Sequence, residues 1–383
     1  PSFILFLIFI IFLFNNLFKE KITKISDCYL LVVLFYFILK FTRISEFGVD
    51  IPAIIFSILS IYYFLKYFET DEVSQKRIIF FYNIAFSTFS ILIKFSTVPI
   101  LFLTFYLYFR NFRDLKLYIF NYKFLIIYSL FLVFFIQQFI YTGYFFFPTN
   151  FTCFDVGWFN ENYIHLSEKI ELINKSYSAS SQTYSPAEYL SNFKWFSHWL
   201  ERNYVEILEH MTTMILPILI FIFFLKRKES EKPILKEKKI FYFFIFINLI
   251  FWLNFSPVYR FGIHIFISLS FIILLNFLDT KEFSKKIFSF FISIFLLFSF
   301  SKNILRIINT EDIFIGIQKI DNLYIFKDDV SNEYAKIYRP DIEKNKKNGW
   351  QGRLCWNTPF ICSYNKLDVN KKNGYLIINK LQN

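Results

Sequence analysis

Apolar runs of membrane-spanning length recur from residue 2 to about residue 300, and the basic residues between them gather in alternate loops. A run of about 20 apolar residues crosses the hydrocarbon core, and shorter runs cross when packed in a bundle. The pattern predicts an all-α polytopic membrane bundle of about ten transmembrane helices. They fall at 2–18, 28–41, 51–66, 78–93, 97–109, 124–142, 207–225, 240–255, 261–278 and 287–301. Loops of one parity carry Lys19, Lys21 and Lys24; Lys66, Lys76 and Arg77; Arg110, Arg113, Lys116 and Lys123. The same parity holds the dense run from Lys226 to Lys239, then Lys281, Lys285 and Lys286. The short loops of the other parity hold only Lys40 and Arg43, then Lys94, then Arg260. The positive-inside rule assigns the first set to the cytoplasm. Two long segments, 143–206 and 302–383, then lie outside, in the setting of a bacterial inner membrane with an external C-terminus.

This division gives two domains: the bundle, 1–301, with its external loop 143–206, and an external C-terminal cap, 302–383. The net charge of +12 sits largely in the cytoplasmic loops. It therefore does not point to nucleic acid, whose binders concentrate charge on a soluble face. The expected partners are membrane lipids and a lipid-borne substrate. The chain opens at Pro1, almost inside a span, so we expect further sequence upstream of it.

The external loop opens with the aromatic stretch GYFFFPTNFTCFDVGWFN, suited to the membrane–water interface. Further along, Ser185, Pro186 and Glu188 form a capping-box pattern. Tyr189, Phe193, Phe196, Leu200 and Tyr204 then recur at helical spacing. This predicts an amphipathic helix that either lies on the outer leaflet or docks on the bundle, roofing its outer mouth. The tail alternates short β-like runs with turns and predicts a small α+β or β cap. Cys355 and Cys362, separated by WNTPFI, are expected to close a disulfide in an oxidising compartment. With no CxxC, no HExxH and four His in all, no metal site is expected.

Charge beside the external helix ends supplies the candidate site. Asp50 either caps a helix or serves a functional site, as a weak catalytic candidate. Lys94 either snorkels to the headgroups or binds an anionic phosphate. Arg260, in SPVYRFG, offers a planar fork matched to phosphate oxygens, against the alternative of an ordinary snorkelling or salt-bridged arginine. Asp155, in CFDVGWF, either orients a sugar hydroxyl or acts in acid–base chemistry, or is a surface turn acid.

At these residues the chain resembles the GT-C membrane glycosyltransferases: many spans, a large external loop, an acid in an external turn, and an Arg after Pro at the outer end of a late helix pair. FGVDIPA, TGYFFFPTNFTCFDVGWF, SPVYRFG and the tail RLCWNTPFIC also resemble an uncharacterised family of bacterial polytopic proteins with a CW–P–C tail. The resemblance implies a polyprenyl-phosphate-linked sugar as donor substrate, with no separate cofactor. It implies transfer of the sugar to an envelope glycan, lipid or protein. It places Asp50 near the outer cavity and makes Lys94 and Arg260 phosphate contacts. GT-C enzymes carry their catalytic acid on a first external loop, which would lie upstream of Pro1. Two other functions fit the same sequence: a transporter or flippase of lipid-linked sugars, and a non-catalytic subunit of an envelope-glycan assembly.

Overall fold

The structure is a computed structural model. It describes residues 2–17, 25–40, 50–115, 120–145, 152, 154, 156, 162–177, 185–223, 226–227, 238–278, 281–282, 285–309, 326–332, 335–340, 367–372 and 375–380. The chain divides into two compact units, Pro1–Ser301 and Lys302–Asn383.

Unit 1 is helical. In chain order it holds α1 (Ser2–Leu17), α2 (Ile25–Leu39), α3 (Asp50–Phe68) and α4 (Val73–Ile93). A 3-10 turn, Phe95–Ile100, leads into α5 (Leu101–Arg110), α6 (Phe112–Leu115), α7 (Tyr122–Thr142), α8 (Asn162–Asn174), α9 (Pro186–Leu190) and α10 (Lys194–Phe223). Then come α11 (Lys238–Phe255), a 3-10 turn Tyr259–Gly262, α12 (Ile263–Leu278) and α13 (Lys285–Asn309). The described part of each of the ten apolar runs falls on these helices and their 3-10 turns, but the count of ten crossings does not carry over. Among the described residues, five helices are long and apolar enough to cross a membrane: 50–68, 73–93, 122–142, 238–255 and 259–276. Shorter apolar helices lie at 4–17, 25–39, 95–110 and 289–305. The protein is an integral membrane bundle by these helices.

Its centre is α2. Every residue from Ile25 to Leu39 is buried, which is why this helix is apolar on all sides instead of striped. Aromatic rings fill the space around it: Phe37 meets Phe9 of α1 edge-on at 5.6 Å, and Tyr29 meets Phe271 of α12 at 5.2 Å. Such tilted contacts match the positive ring edge to the negative ring face. The two ends of α2 are tied by polar groups. Glu69 accepts from Ser26 N at 2.7 Å, and Lys40 Nζ meets Glu209 of α10 at 2.7 Å.

Helices α3 and α4 pack along a buried polar seam. Ser57 Oγ pairs with Ser90 Oγ at 2.7 Å, and Ser60 Oγ with Ser87 Oγ at 3.0 Å. Asn83 donates to Ser60 O and accepts from Thr104 Oγ1 of α5, both at 2.8 Å. Small residues let two helices approach closely in lipid, and their hydroxyls bond across the gap.

The amphipathic stretch of the long loop differs from expectation. Ser185 does cap α9, accepting from Glu188 N at 3.3 Å, with Pro186 in the first turn. That helix stops at Leu190, and Phe193 then takes a left-handed φ of 56°, which no helix interior tolerates. The helix that restarts at Lys194 runs unbroken for 30 residues. It merges the amphipathic stretch with the apolar run 207–225 in one rod of about 45 Å. A rod of that form docks on the bundle: Trp199 Nε1 donates to Pro257 O at 2.7 Å. At the far end of the bundle a short antiparallel pairing, Lys226–Arg227 with Lys281–Glu282, joins the loop before α11 to the loop before α13.

Unit 2 contains two antiparallel hairpins, Phe326–Asn332 with Ala335–Pro340 and Leu367–Lys372 with Tyr375–Lys380. No larger sheet joins them among the described residues. Asp155, Cys355 and Cys362 lie outside the described residues, and with them the expected disulfide and the hydroxyl-orienting acid.

Candidate functional site

Three of the sequence candidates come together where α3 begins, α4 ends and α11 turns into α12. Asp50 is the first residue of α3, where an acid meets the positive end of the helix dipole. Lys94 ends α4; its extended backbone (φ −149°, ψ 112°) closes that helix. Arg260 sits in the tight turn between α11 and α12. Lys94 Nζ hydrogen-bonds Asp50 Oδ1, and Arg260 Nε faces Asp50 Oδ2 at 3.4 Å. Both carboxylate oxygens are thus committed to cations. This arrangement suits Asp50 as a counter-ion that spaces two positive charges, more than as a base with a free lone pair. Two cations and one anion leave the cluster positive.

The cluster is graded in depth. The side chain of Arg260 is 45% exposed and that of Lys94 17%. Phe261 separates them, with Lys94 Nζ over its ring and Arg260 Cζ 5.1 Å from its centroid. Burial pulls the Lys94 ammonium down to about 8; the hydrogen bond and charge of Asp50 oppose this, and Arg260 adds to it. The terminal nitrogens of Arg260 have no protein partner among the described residues, so its fork is open to an anion.

The turn carrying Arg260 is rigidly held. Trp252 Nε1 donates to Val258 O at 2.9 Å, and the indole packs on Trp199 of α10 at 5.8 Å. A Cβ on Gly262 would lie 3.0 Å from Trp252 Nε1 and 3.2 Å from Phe266. The missing side chain is what lets the indole reach under the turn. Tyr259 stacks on His210 of α10 with centroids 4.4 Å apart. The rod α10 therefore walls one side of the turn.

Two polar groups nearby escaped the sequence reading. His264 is 1% exposed, with no partner on either ring nitrogen. Ser96, two residues after Lys94, has a buried hydroxyl without a partner. The signal for His264 was present, since an ionisable residue inside an apolar helix marks function by default. No group of three or more metal-ligating side chains exists among the described residues. A groove of about 530 Å³ runs along α10, lined by Ser197, Leu200, Glu201, Tyr204, Ile207 and Leu208, none of which belongs to the cluster. The cavity expected beneath loop 143–206 falls in part on residues outside the described ones.

A family model described as a domain of unknown function (DUF8201) matches residues 2–267, which takes in the whole cluster. No curated protein and no solved structure matches the chain.

Proposed function

The chain belongs to that family, and we propose that it binds the phosphate of a polyprenyl-phosphate-linked sugar at Asp50, Lys94 and Arg260. On this reading it is a GT-C-type membrane glycosyltransferase that passes the sugar to an envelope glycan, lipid or protein. The observation that carries the reading is the net-positive cluster with an open guanidinium fork. A lipid phosphate presented at a helix-bundle end needs such cations, and its charge grows as the sugar–phosphate bond breaks. Arg260 holds the phosphate, Lys94 adds a second charge, and Asp50 fixes the spacing of the two. An acid outside this cluster activates the acceptor hydroxyl.

The reading also fixes a side of the membrane. The cluster sits at the bundle end opposite the paired loops at 226–227 and 281–282. Those loops belong to the basic set, so the positive-inside rule favours the cluster outside, with an external C-terminus in a bacterial inner membrane. Labelling single cysteines from outside tests it: a cysteine at Ser180 reacts and one at Ser230 does not. The functional test is donor capture by the full chain in nanodiscs, where Arg260→Ala abolishes retention of a polyprenyl-phosphate sugar. Retention unchanged in that variant refutes the reading.

One observation favours a second reading. The α3–α4 seam places Ser57, Ser60, Asn83, Ser87 and Ser90 inside the bundle, and intramembrane polar residues mark the paths of transporters. A flippase moves the lipid-linked sugar across vesicles with no acceptor present; the transferase does not.

A further inference from the structure

Below the charged layer the site contains a neutral group with nothing to bind. We infer that His264 is a second recognition element, hydrogen-bonding a hydroxyl that neighbours the phosphate of the ligand held by Arg260 and Lys94. The inference rests on the phosphate reading above and adds the ligand class: a phosphate ester with a free hydroxyl close to the phosphorus.

Three observations converge. His264 follows Arg260 by four residues and Phe261 by three, at the start of α12 where the turn becomes helix, and it lies within electrostatic reach of Lys94. Exposure falls from 45% at the Arg260 side chain through 17% at that of Lys94 to 1% at His264, so the charged pair meets solvent and the imidazole does not. Both imidazole nitrogens are unpartnered, although a buried polar group without a bond costs about 1–3 kcal/mol. Elsewhere in the bundle, Asn248 donates to Phe244 O and Ser268 to His264 O, while Tyr29 Oη and Thr88 Oγ1 are, like His264, buried without a partner among the described residues; His264 is the one of these that follows Arg260 by a helical turn. An imidazole offers one N–H donor and one lone pair, the complement of a hydroxyl, which both accepts and donates. Ser96 Oγ, also buried and unpartnered, adds a hydroxyl on the Lys94 side. A bare anion needs only the charged layer. An imidazole set deeper selects among anions by what they carry next to the phosphate.

Glucose 1-phosphate and inorganic phosphate are suitable probes for the full chain in phosphatidylcholine nanodiscs, with phosphatidylglycerol added in a parallel arm as a hydroxyl-bearing lipid headgroup. Wild type is expected to bind glucose 1-phosphate about five- to tenfold tighter than inorganic phosphate, the size of one hydrogen bond. His264→Phe brings that ratio to about one with inorganic phosphate unchanged, and His264→Gln retains part of it. Arg260→Ala weakens both probes together. Histidine ring ¹⁵N spectra of the wild type give a readout that requires no variant to fold. The His264 signal moves on adding the sugar phosphate, and not on adding inorganic phosphate. A shift with phosphatidylglycerol alone assigns the hydroxyl to a lipid headgroup, and a shift with the soluble probe assigns it to a sugar; either supports the role of His264. A silent His264 signal with every hydroxyl-bearing probe, or an unchanged sugar preference in folded His264→Phe, overturns the inference. If phosphate binding persists and responds to Arg260→Ala in that case, the phosphate reading stands without it. If wild type binds no probe, both fall.

Discussion

The α3–α4 seam and the Asp50 cluster are both polar, and both draw on α3 and α4, yet they are built on opposite rules. In the seam, Ser57, Ser60, Asn83, Ser87, Ser90 and Thr104 are neutral, at most 2% exposed, and bonded to one another or to backbone. In the cluster three groups are charged, exposure is graded, and bonding capacity is left unused at Arg260 and at the neighbouring Ser96 and His264. A closed network spends its polarity on holding helices together. An open one keeps it for something outside the chain. The contrast explains why polarity inside a membrane is poor evidence for function until its partners have been counted.

The largest expected effect breaks the cluster from within. Asp50→Asn leaves Lys94 largely buried beside Arg260 with no counter-charge. Removing one member of a buried pair costs about 3 kcal/mol, moderated here because Arg260 is solvent-screened. Thermal unfolding in detergent should show the loss, and added phosphate should restore part of it by supplying the missing anion. No rescue by phosphate would place the cluster with the seam, as structural glue.

Asn83→Ala tests the other side of the comparison. It removes the bonds to Ser60 and Thr104 in the seam. Membrane hydrogen bonds average well under 1 kcal/mol each, so about 2 kcal/mol of stability is expected to go. Phosphate binding by the folded protein should be unaffected. A loss of binding with stability intact would make the seam a path instead of a clamp.

Much of this was legible in the sequence. The described parts of the ten apolar runs are helical, and Asp50, Lys94 and Arg260 could be nominated from charge beside helix ends alone. Their meeting could not: it requires the open end of the antiparallel α3–α4 pair, away from its turn at 69–72, to meet the turn between α11 and α12. The seam was overlooked because serines read as weakly polar one at a time; the repeat of Ser57 with Ser60 and Ser87 with Ser90 carries the signal only when the helices are paired. The break at Phe193 has no marker either, since nothing but a Gly or Asn ordinarily announces a left-handed residue. Likewise, crossing number cannot be read from apolarity alone where short helices such as α2 are buried by their neighbours.

Acidity separates the two regions more finely, because only the cluster titrates near neutrality. Lys94 is held down to about 8, mainly by burial. Below pH 7 it is charged and anion binding is at its plateau; between pH 7 and 9 the charge is lost and affinity should fall by about tenfold. Stability moves the other way. In the unfolded chain Lys94 keeps its proton to its ordinary value of 10.5. From about pH 8 upward the unfolded state therefore binds more protons, and this group's contribution favours the fold as pH rises. Lys94→Met should remove both trends. Binding that holds flat to pH 9.5 would exclude Lys94 from the anion's contacts.

The smallest effect concerns the turn that carries Arg260. A methyl group at Gly262 meets the Trp252 indole at 3.0–3.1 Å and Phe266 at 3.2 Å. Nine-tenths of ordinary contacts are longer, so the indole must retreat by a few tenths of an ångström. Its N–H bond to Val258 O anchors the turn, and the same ring packs on Trp199 of α10. Gly262→Ala should therefore cost about 1 kcal/mol of stability through overpacking, with a blue or red shift of tryptophan emission as the indole moves. Phosphate affinity should fall about two- to threefold, since Arg260 is displaced with its turn while its charge is kept. If the emission shifts and affinity does not, Arg260 acts as a point charge whose exact placement is unimportant. If both shift together, the rigid turn is part of the binding site, and the open cluster owes its geometry to a well-packed aromatic floor.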